Sequence, residues 1–193
     1  LNEIEQCYRR AMAFEEVLKR IPVEMYGALF DEGTVADALR PTLFDLIAYD
    51  LLEFYAWCRE RKFDDTESVT LDPDGPALQD VAGFSLVIPD EAARRSRVLR
   101  ALRLWQTLLA FHVDDKDPAA YADADLNRLQ FCYPLVAGEK REERYCAALD
   151  RFAHKWRTHE LSSRAFALRA QLAFDAGDAA LAHVVAQKGA SAY

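Results

Sequence analysis

The sequence predicts an all-α fold, an irregular stack of α-α hairpins of the tetratricopeptide-like kind with one long Asp/Pro-rich loop around residues 64–90. Three observations predict it. Apolar residues recur at spacings of three and four through most of the chain, the period of one helix face. Glycine and proline number only seven each, too few for the turns that an all-β sandwich or barrel needs at every 8 to 12 residues or so. The closing segment carries the small residues of a tight helix pair. With 193 residues, 51% of them apolar and 29% charged, the chain buries a sizeable core and is too apolar for disorder. It is organised either as one helical domain over 1–193 or as two packed sub-units, 1–63 and 90–193, joined by the 64–90 loop.

In chain order, the first helix is expected over Asn2–Arg20, with Ile4, Cys7, Tyr8, Ala11, Phe14, Val17 and Leu18 on one face. Pro22 ends it, because the residue before a proline is driven out of the helical region. "VEMYGALFDEG" predicts two further turns closed by Gly33. The most apolar stretch, "RPTLFDLIAYDLLEFYAWC" from Arg40 to Cys58, predicts a helix with Pro41 at its first position and Asp45 in its first turn. Leu43, Phe44, Leu46, Ile47, Leu51, Leu52, Phe54 and Tyr55 spread too widely for one face, which makes this helix central to the stack. Asp45, Asp50 and Glu53 are left for its wet or ion-paired edges.

From Asp64 to Asp90 prolines, glycines and aspartates replace the helical pattern. The stretch reads as a linker, as a packed Ω-like loop, or as short strands around "FSLVI". Asp90 then opens a long helix with Val98, Leu99, Leu102, Trp105, Leu108, Leu109 and His112 on successive turns, broken at "DDKDP". "AAYADADLNRLQF" and "EKREERYCAALDRFAHKWR" follow as helices, the second apolar at Tyr145, Ala148, Leu149, Phe152 and Trp156. The last two helices are "SSRAFALRAQLAFDAG" and "DAALAHVVAQKG". Between them Ala170, Gly177, Asp178 and Ala182 fall where a tetratricopeptide-type pair places its small residues and turn, letting antiparallel helices approach closely. No clean repetition of about 34 residues precedes them, so the stack is a degenerate one.

The net charge of −8 opposes polyanions. Arg94, Arg95, Arg97, Arg100 and Arg103 spiral around their helix at about 100° per residue and form a solvated, ion-paired surface instead of a nucleic-acid stripe. As a membrane span the Arg40–Cys58 stretch fails, since each of its acids would cost about 2.5 to 3.5 kcal/mol at a bilayer centre. Cys7, Cys58, Cys132 and Cys146 form no cluster of metal spacing and leave the redox compartment open. The chain starts at Leu1 inside an amphipathic pattern, as an excised domain or processed chain would, so the lack of a secretory signal says nothing about export.

Asp45, Asp50 and Glu53 do not converge on one face, so they make no pair of catalytic carboxylates. The sharpest chemical feature is "FHVDDKD", Phe111–Asp117, at the end of a long apolar helix. Clustered Asp114, Asp115 and Asp117 are what a hard cation such as magnesium wants, and the helical isoprenoid synthases hold a diphosphate through such a motif. That likeness is partial, because a second metal-binding motif is missing. His154 and His159 are five apart, unlike the i, i+4 pair of a zinc helix, whereas His112 and His183 lie on apolar faces as core histidines do. No nucleophile motif or glycine-rich phosphate loop is present, so no catalytic, cofactor-binding or metal-ligating residue is assigned.

As a set, "LRPTLFDLIAYDLLEFY", "LRLWQTLLAFHVDDKDPAAYADADLNRLQF", "YCAALDRF" and "AGDAALAHVVAQKGASAY" resemble the N-terminal helical region of the very large bacterial alpha-2-macroglobulin-like proteins, with an "RPTL-D" helix, an "LL-FH" helix, a "DL-RL-F" segment and a terminal helix pair in that order. The resemblance spans roughly residues 40 to 193. It implies an exported cell-envelope protein whose other domains are macroglobulin-type β-sandwiches and which is associated with trapping foreign proteases. The chain has no Cys-x-x-Gln thioester motif, so the expected role is a non-catalytic helical scaffold or interaction domain whose partners are other domains of the same large protein or other proteins. Two alternatives come from other classes: a small magnesium-dependent enzyme using Asp114, Asp115 and Asp117, and a free-standing tetratricopeptide-like adaptor that binds peptides.

Overall fold

The computed structural model describes residues 1–29, 36–63, 69–84, 88 and 90–192. Among them the chain is all helical, with nine α-helices and only isolated β-bridges. The helices are α1 (Asn2–Met12), α2 (Glu15–Leu18), α3 (Leu43–Glu60), α4 (Asp90–Arg95), α5 (Arg97–His112), α6 (Ala119–Cys132), α7 (Arg141–Lys155), α8 (Leu161–Asp175) and α9 (Ala179–Ser191). Short 3₁₀ turns occupy Val23–Leu29, Asp37–Leu39, Pro76–Leu78 and Tyr133–Leu135.

Caps explain where several helices begin, and they correct three expectations. Thr42 has extended backbone and accepts from the Asp45 amide, while Asp45 Oδ2 accepts from the Thr42 amide at 2.9 Å and its hydroxyl at 2.7 Å. This reciprocal capping box starts α3 after Thr42, so Pro41 lies outside the helix instead of at its first position. The long helix expected from Asp90 is two helices: Ser96, extended at φ −129°, stops α4 and caps α5 by accepting from Leu99 N. Likewise the ladder tightens at Phe14, whose amide bonds Ala11 O, and α2 restarts at Glu15. Apolar spacing is blind to such breaks, because it reports side-chain direction and not the backbone ladder. Gly33 and the strand expected around "FSLVI", through Ser85–Val87, lie outside the described residues.

Two compact units emerge, and the 64–90 stretch is not a linker between them, since its middle belongs to unit 2. Unit 1 is Leu1–Ser68 with Val87–Tyr121, and unit 2 is Val69–Leu86 with Ala122–Tyr193. The division at 1–63 and 90–193 is thereby corrected: α4 and α5 pack with the N-terminal helices, and much of the Asp/Pro-rich stretch is itself part of unit 2.

In unit 1, α3 packs on both α1 and α5, as its wide apolar girth requires. Phe44 meets Phe111 edge-on at 5.5 Å and Tyr49 meets Trp105 at 5.6 Å, and Leu51 and Leu52 of α3 and Leu102 and Leu108 of α5 are buried. In unit 2, α7, α8 and α9 pack in sequence, the last pair most closely. Gly177 closes α8 at φ +84°, a conformation that favours glycine, and the Asp178 carboxylate caps α9 at Leu181 N, 2.9 Å. The close approach itself sits elsewhere. Ala182 is buried, but the position with no room for a side chain is Gly189, where a Cβ would stand 2.9 Å from Phe166 Cβ. Ser163 Oγ donates to the Gly189 carbonyl at 2.9 Å across the same contact.

Candidate functional site

The motif acids and the motif histidine come together inside unit 1. Asp45, expected on an edge of α3, is 0% exposed, and its Oδ1 lies 2.7 Å from His112 Nε2. His112 is 2% exposed, and its Nδ1 lies 2.6 Å from Asp115 Oδ2. A carboxylate thus flanks each ring nitrogen. Burial alone would drive the imidazole toward its neutral form, but Asp45 and then Asp115 outweigh it and raise the pKa above the ordinary histidine value. Since Asp45 Oδ2 already caps α3, the same carboxylate starts one helix and pins the end of another. The solvent-facing reading of Asp45 fails, and its ion-paired alternative stands only through this buried imidazole; Asp50 and Glu53 are exposed as expected.

The aspartate cluster that follows is divided among separate tasks. Asp115 holds His112, and Asp117 Oδ1 accepts from Ala119 N at 3.0 Å, starting α6. Asp114 is exposed. Among the described residues no group of three or more His, Cys, Asp or Glu side chains is placed to hold a metal ion.

A second buried acid, Glu5 on α1, was not legible in the sequence. Its Oε2 pairs with Arg97 Nε at 3.0 Å, and its Oε1 pairs with Arg100 Nε at 2.9 Å and accepts from Tyr55 OH at 3.2 Å. Burial, reinforced by the Glu5 charge, pushes the Tyr55 phenol up to about 12, so it stays a donor. The arginine spiral is therefore ion-paired, but unevenly: Arg97 and Arg100 turn inward to Glu5, whereas Arg95 pairs with Glu91 at 2.6 Å on the surface. Unit 1 also carries an open cleft of about 740 Å³ beside Lys19, Arg20, Arg103 and Phe111. Its cations are largely matched, Lys19 by Glu15 at 2.5 Å and Arg103 by Asp90 at 2.7 Å.

In unit 2 the corresponding centre is Arg128 of "DLNRLQF", 0% exposed. Its Nε donates to Asp125 Oδ1 at 3.1 Å, Nη1 to Ala77 O at 2.8 Å and Nη2 to Gln79 O at 2.9 Å, and its guanidinium lies 4.5 Å from the Phe84 ring centre. The i, i+3 spacing of Asp125 and Arg128 announces an ion pair. Nothing in the sequence says that the pair is buried or that it holds residues 77–84.

The other singled-out side chains act locally or face outward. His159 Nδ1 accepts from Leu161 N at 3.2 Å at the start of α8, and His154 is exposed. His183, expected in the core, is exposed on α9, because the buried side of that helix runs through Ala182, Val185 and Gly189. Cys58 and Cys132 are buried, Cys146 is half-buried and Cys7 is exposed, and none is paired in a disulfide. The hairpin of α8 and α9 exposes Phe174 at 64% on α8, and Leu181 and Val184 on α9. Among the described residues no helix is long and apolar enough to cross a membrane.

The class that fold and site define is an all-α protein whose motif polar residues are turned into internal bonds. No protein-family model matches the chain, and neither a curated protein nor a solved structure matches it.

Proposed function

We propose that this chain is a non-catalytic helical scaffold and interaction domain, of the kind found in the exported alpha-2-macroglobulin-like proteins of bacterial cell envelopes. One observation carries the reading. Asp45 of "RPTL-D", His112 of "LL-FH", and Asp125 and Arg128 of "DL-RL-F" are all buried and bonded within their own units. Polar groups kept for a substrate face a cleft and stand ready for it; these are committed to bonds inside their own units. The apolar side chains exposed on the α8–α9 hairpin, Phe174 above all, supply a surface for other domains of the parent protein or for other proteins. The magnesium-dependent alternative loses its main support, because Asp115 and Asp117 serve His112 and α6 instead of converging.

Reading the coding sequence on both sides of this segment tests the proposal. β-rich macroglobulin-type domains downstream are expected, and an open reading frame without them overturns the assignment to that class.

A further inference from the structure

The stretch from Val69 to Phe84 lies on unit 2 in the manner of a bound peptide. Leu71 N donates to Leu135 O at 2.8 Å and Leu71 O accepts from Ala137 N at 3.1 Å, a short parallel pairing like that of an added strand. Its next attachments are arginines. Asp74 meets Arg144 Nε at 2.7 Å, and the consecutive carbonyls of Ala77, Leu78 and Gln79 accept from Arg128, Arg151 and Arg128 again. Ala77, Leu78 and Phe84 are buried. Regular structure within the segment amounts to one 3₁₀ turn, Pro76–Leu78. Its placement therefore depends on what unit 2 offers more than on its own backbone ladder.

We propose that residues 69–84 are an exchangeable ligand of unit 2, and that the groove they fill takes a turn-forming acidic peptide of the same pattern from another protein. The pattern is an acid, then a small residue and leucine three and four positions on, then an aromatic six beyond the leucine, matching Asp74, Ala77, Leu78 and Phe84. Charge complementarity sets the class of partner, since Arg144 pairs with Asp74 at 2.7 Å while Arg128 and Arg151 take the segment's carbonyls, and Asp72 and Asp80 shape its turns by accepting from Asp74 N and Gly83 N. Main-chain carbonyls supply much of the recognition, so sequence is read at only a few positions. The chain's own copy competes at an effective concentration on the order of millimolar, which closes the groove to ordinary partners until the segment leaves. The proposal rests on unit 2 being an interaction scaffold, but it is tested by binding alone, independently of which domains flank the chain.

The experiment uses the full chain with residues 69–84 replaced by a Gly/Ser linker of equal length, and a fluorescein-labelled synthetic peptide of residues 69–84. Saturable anisotropy is expected, at least about tenfold tighter than to the unaltered chain, and lost when the peptide carries Phe84→Ala. A replaced chain that keeps its helical circular dichroism and binds no peptide overturns the proposal. A second variant covers failure of that chain to fold: protease sites placed in 64–68 and 85–87 cut the segment free after folding. Exchange of the nicked segment with excess labelled peptide on gel filtration supports the proposal. Unfolding on cleavage, release without rebinding, or retention without exchange overturns it.

Discussion

In unit 1 an imidazole and a buried carboxylate join two helices, His112 of α5 to Asp45 of α3, beside the ion pairs of Glu5, whereas in unit 2 the buried Arg128 fastens the carbonyls of Ala77 and Gln79. The difference governs what each contact depends on. The histidine contact strengthens when the ring carries two protons, and it pins helix to helix. The arginine contact pins an irregular segment through its main-chain carbonyls. One helical pattern in the sequence thus hides two kinds of fastening, with different sensitivities.

Removing the arginine should produce the largest effect. Arg128→Ala leaves Asp125 buried without its partner and removes two of the segment's hydrogen bonds, to Ala77 O and Gln79 O, and its contact with the Phe84 ring, and is expected to cost about 3 to 5 kcal/mol in chemical denaturation; a loss under about 1 kcal/mol would show that residues 69–84 are held by other means. Next comes the apolar centre of unit 1, where Leu51→Ala should cost about 2 to 5 kcal/mol. Glu53→Ala, two residues on and exposed, should cost under about 1 kcal/mol. Equal losses at the two positions would mean that the inside and outside of α3 are confused.

Asp45→Ala should cost about 2 to 4 kcal/mol, because it removes the carboxylate half of the α3 capping box and leaves His112 short of a partner. The comparison between units sharpens with pH. The folded pKa of His112 lies above its ordinary value, so its contribution is fully present below about pH 6.5 and is lost as pH rises through the raised folded pKa. Denaturation should therefore show unit 1 weakening from mildly acidic toward alkaline pH, an effect that His112→Gln abolishes and Arg128→Ala leaves in place. A pH-independent difference between the wild-type chain and His112→Gln would remove the protonated ring from the account. In the last hairpin of unit 2, Gly189→Ala makes the new methyl push Phe166 aside, which outweighs the better helix propensity of alanine and leaves a net loss of about 1 to 2 kcal/mol by thermal or chemical denaturation.

Much of this was legible before any coordinates. Apolar spacing located the helical segments, the exposure of Asp50 and Glu53, and the burial of Leu51, Leu52 and Tyr55 on the central helix. Local chemistry located the turn at Gly177 and the cap at Asp178. The breaks at Phe14 and Ser96 were not legible, since both leave the apolar period intact. Neither was the site. Asp45 and His112 are 67 positions apart, and Arg128 lies 51 from Ala77, separations at which no helical period relates two residues.

The sequence by itself determined that the chain is helical, which helix is girdled by apolar neighbours and where the last hairpin turns, because each of these follows from interactions within a few residues. Only the tertiary structure decided that Asp45 faces inward, that Glu5 collects two arginines, that His183 faces out while Gly189 makes the close contact, and that a stretch rich in aspartate and proline belongs to unit 2. Those outcomes depend on the removal of water from particular polar groups. Whether a carboxylate or a guanidinium is buried is settled by the partner that satisfies it, and the partners come from distant parts of the chain.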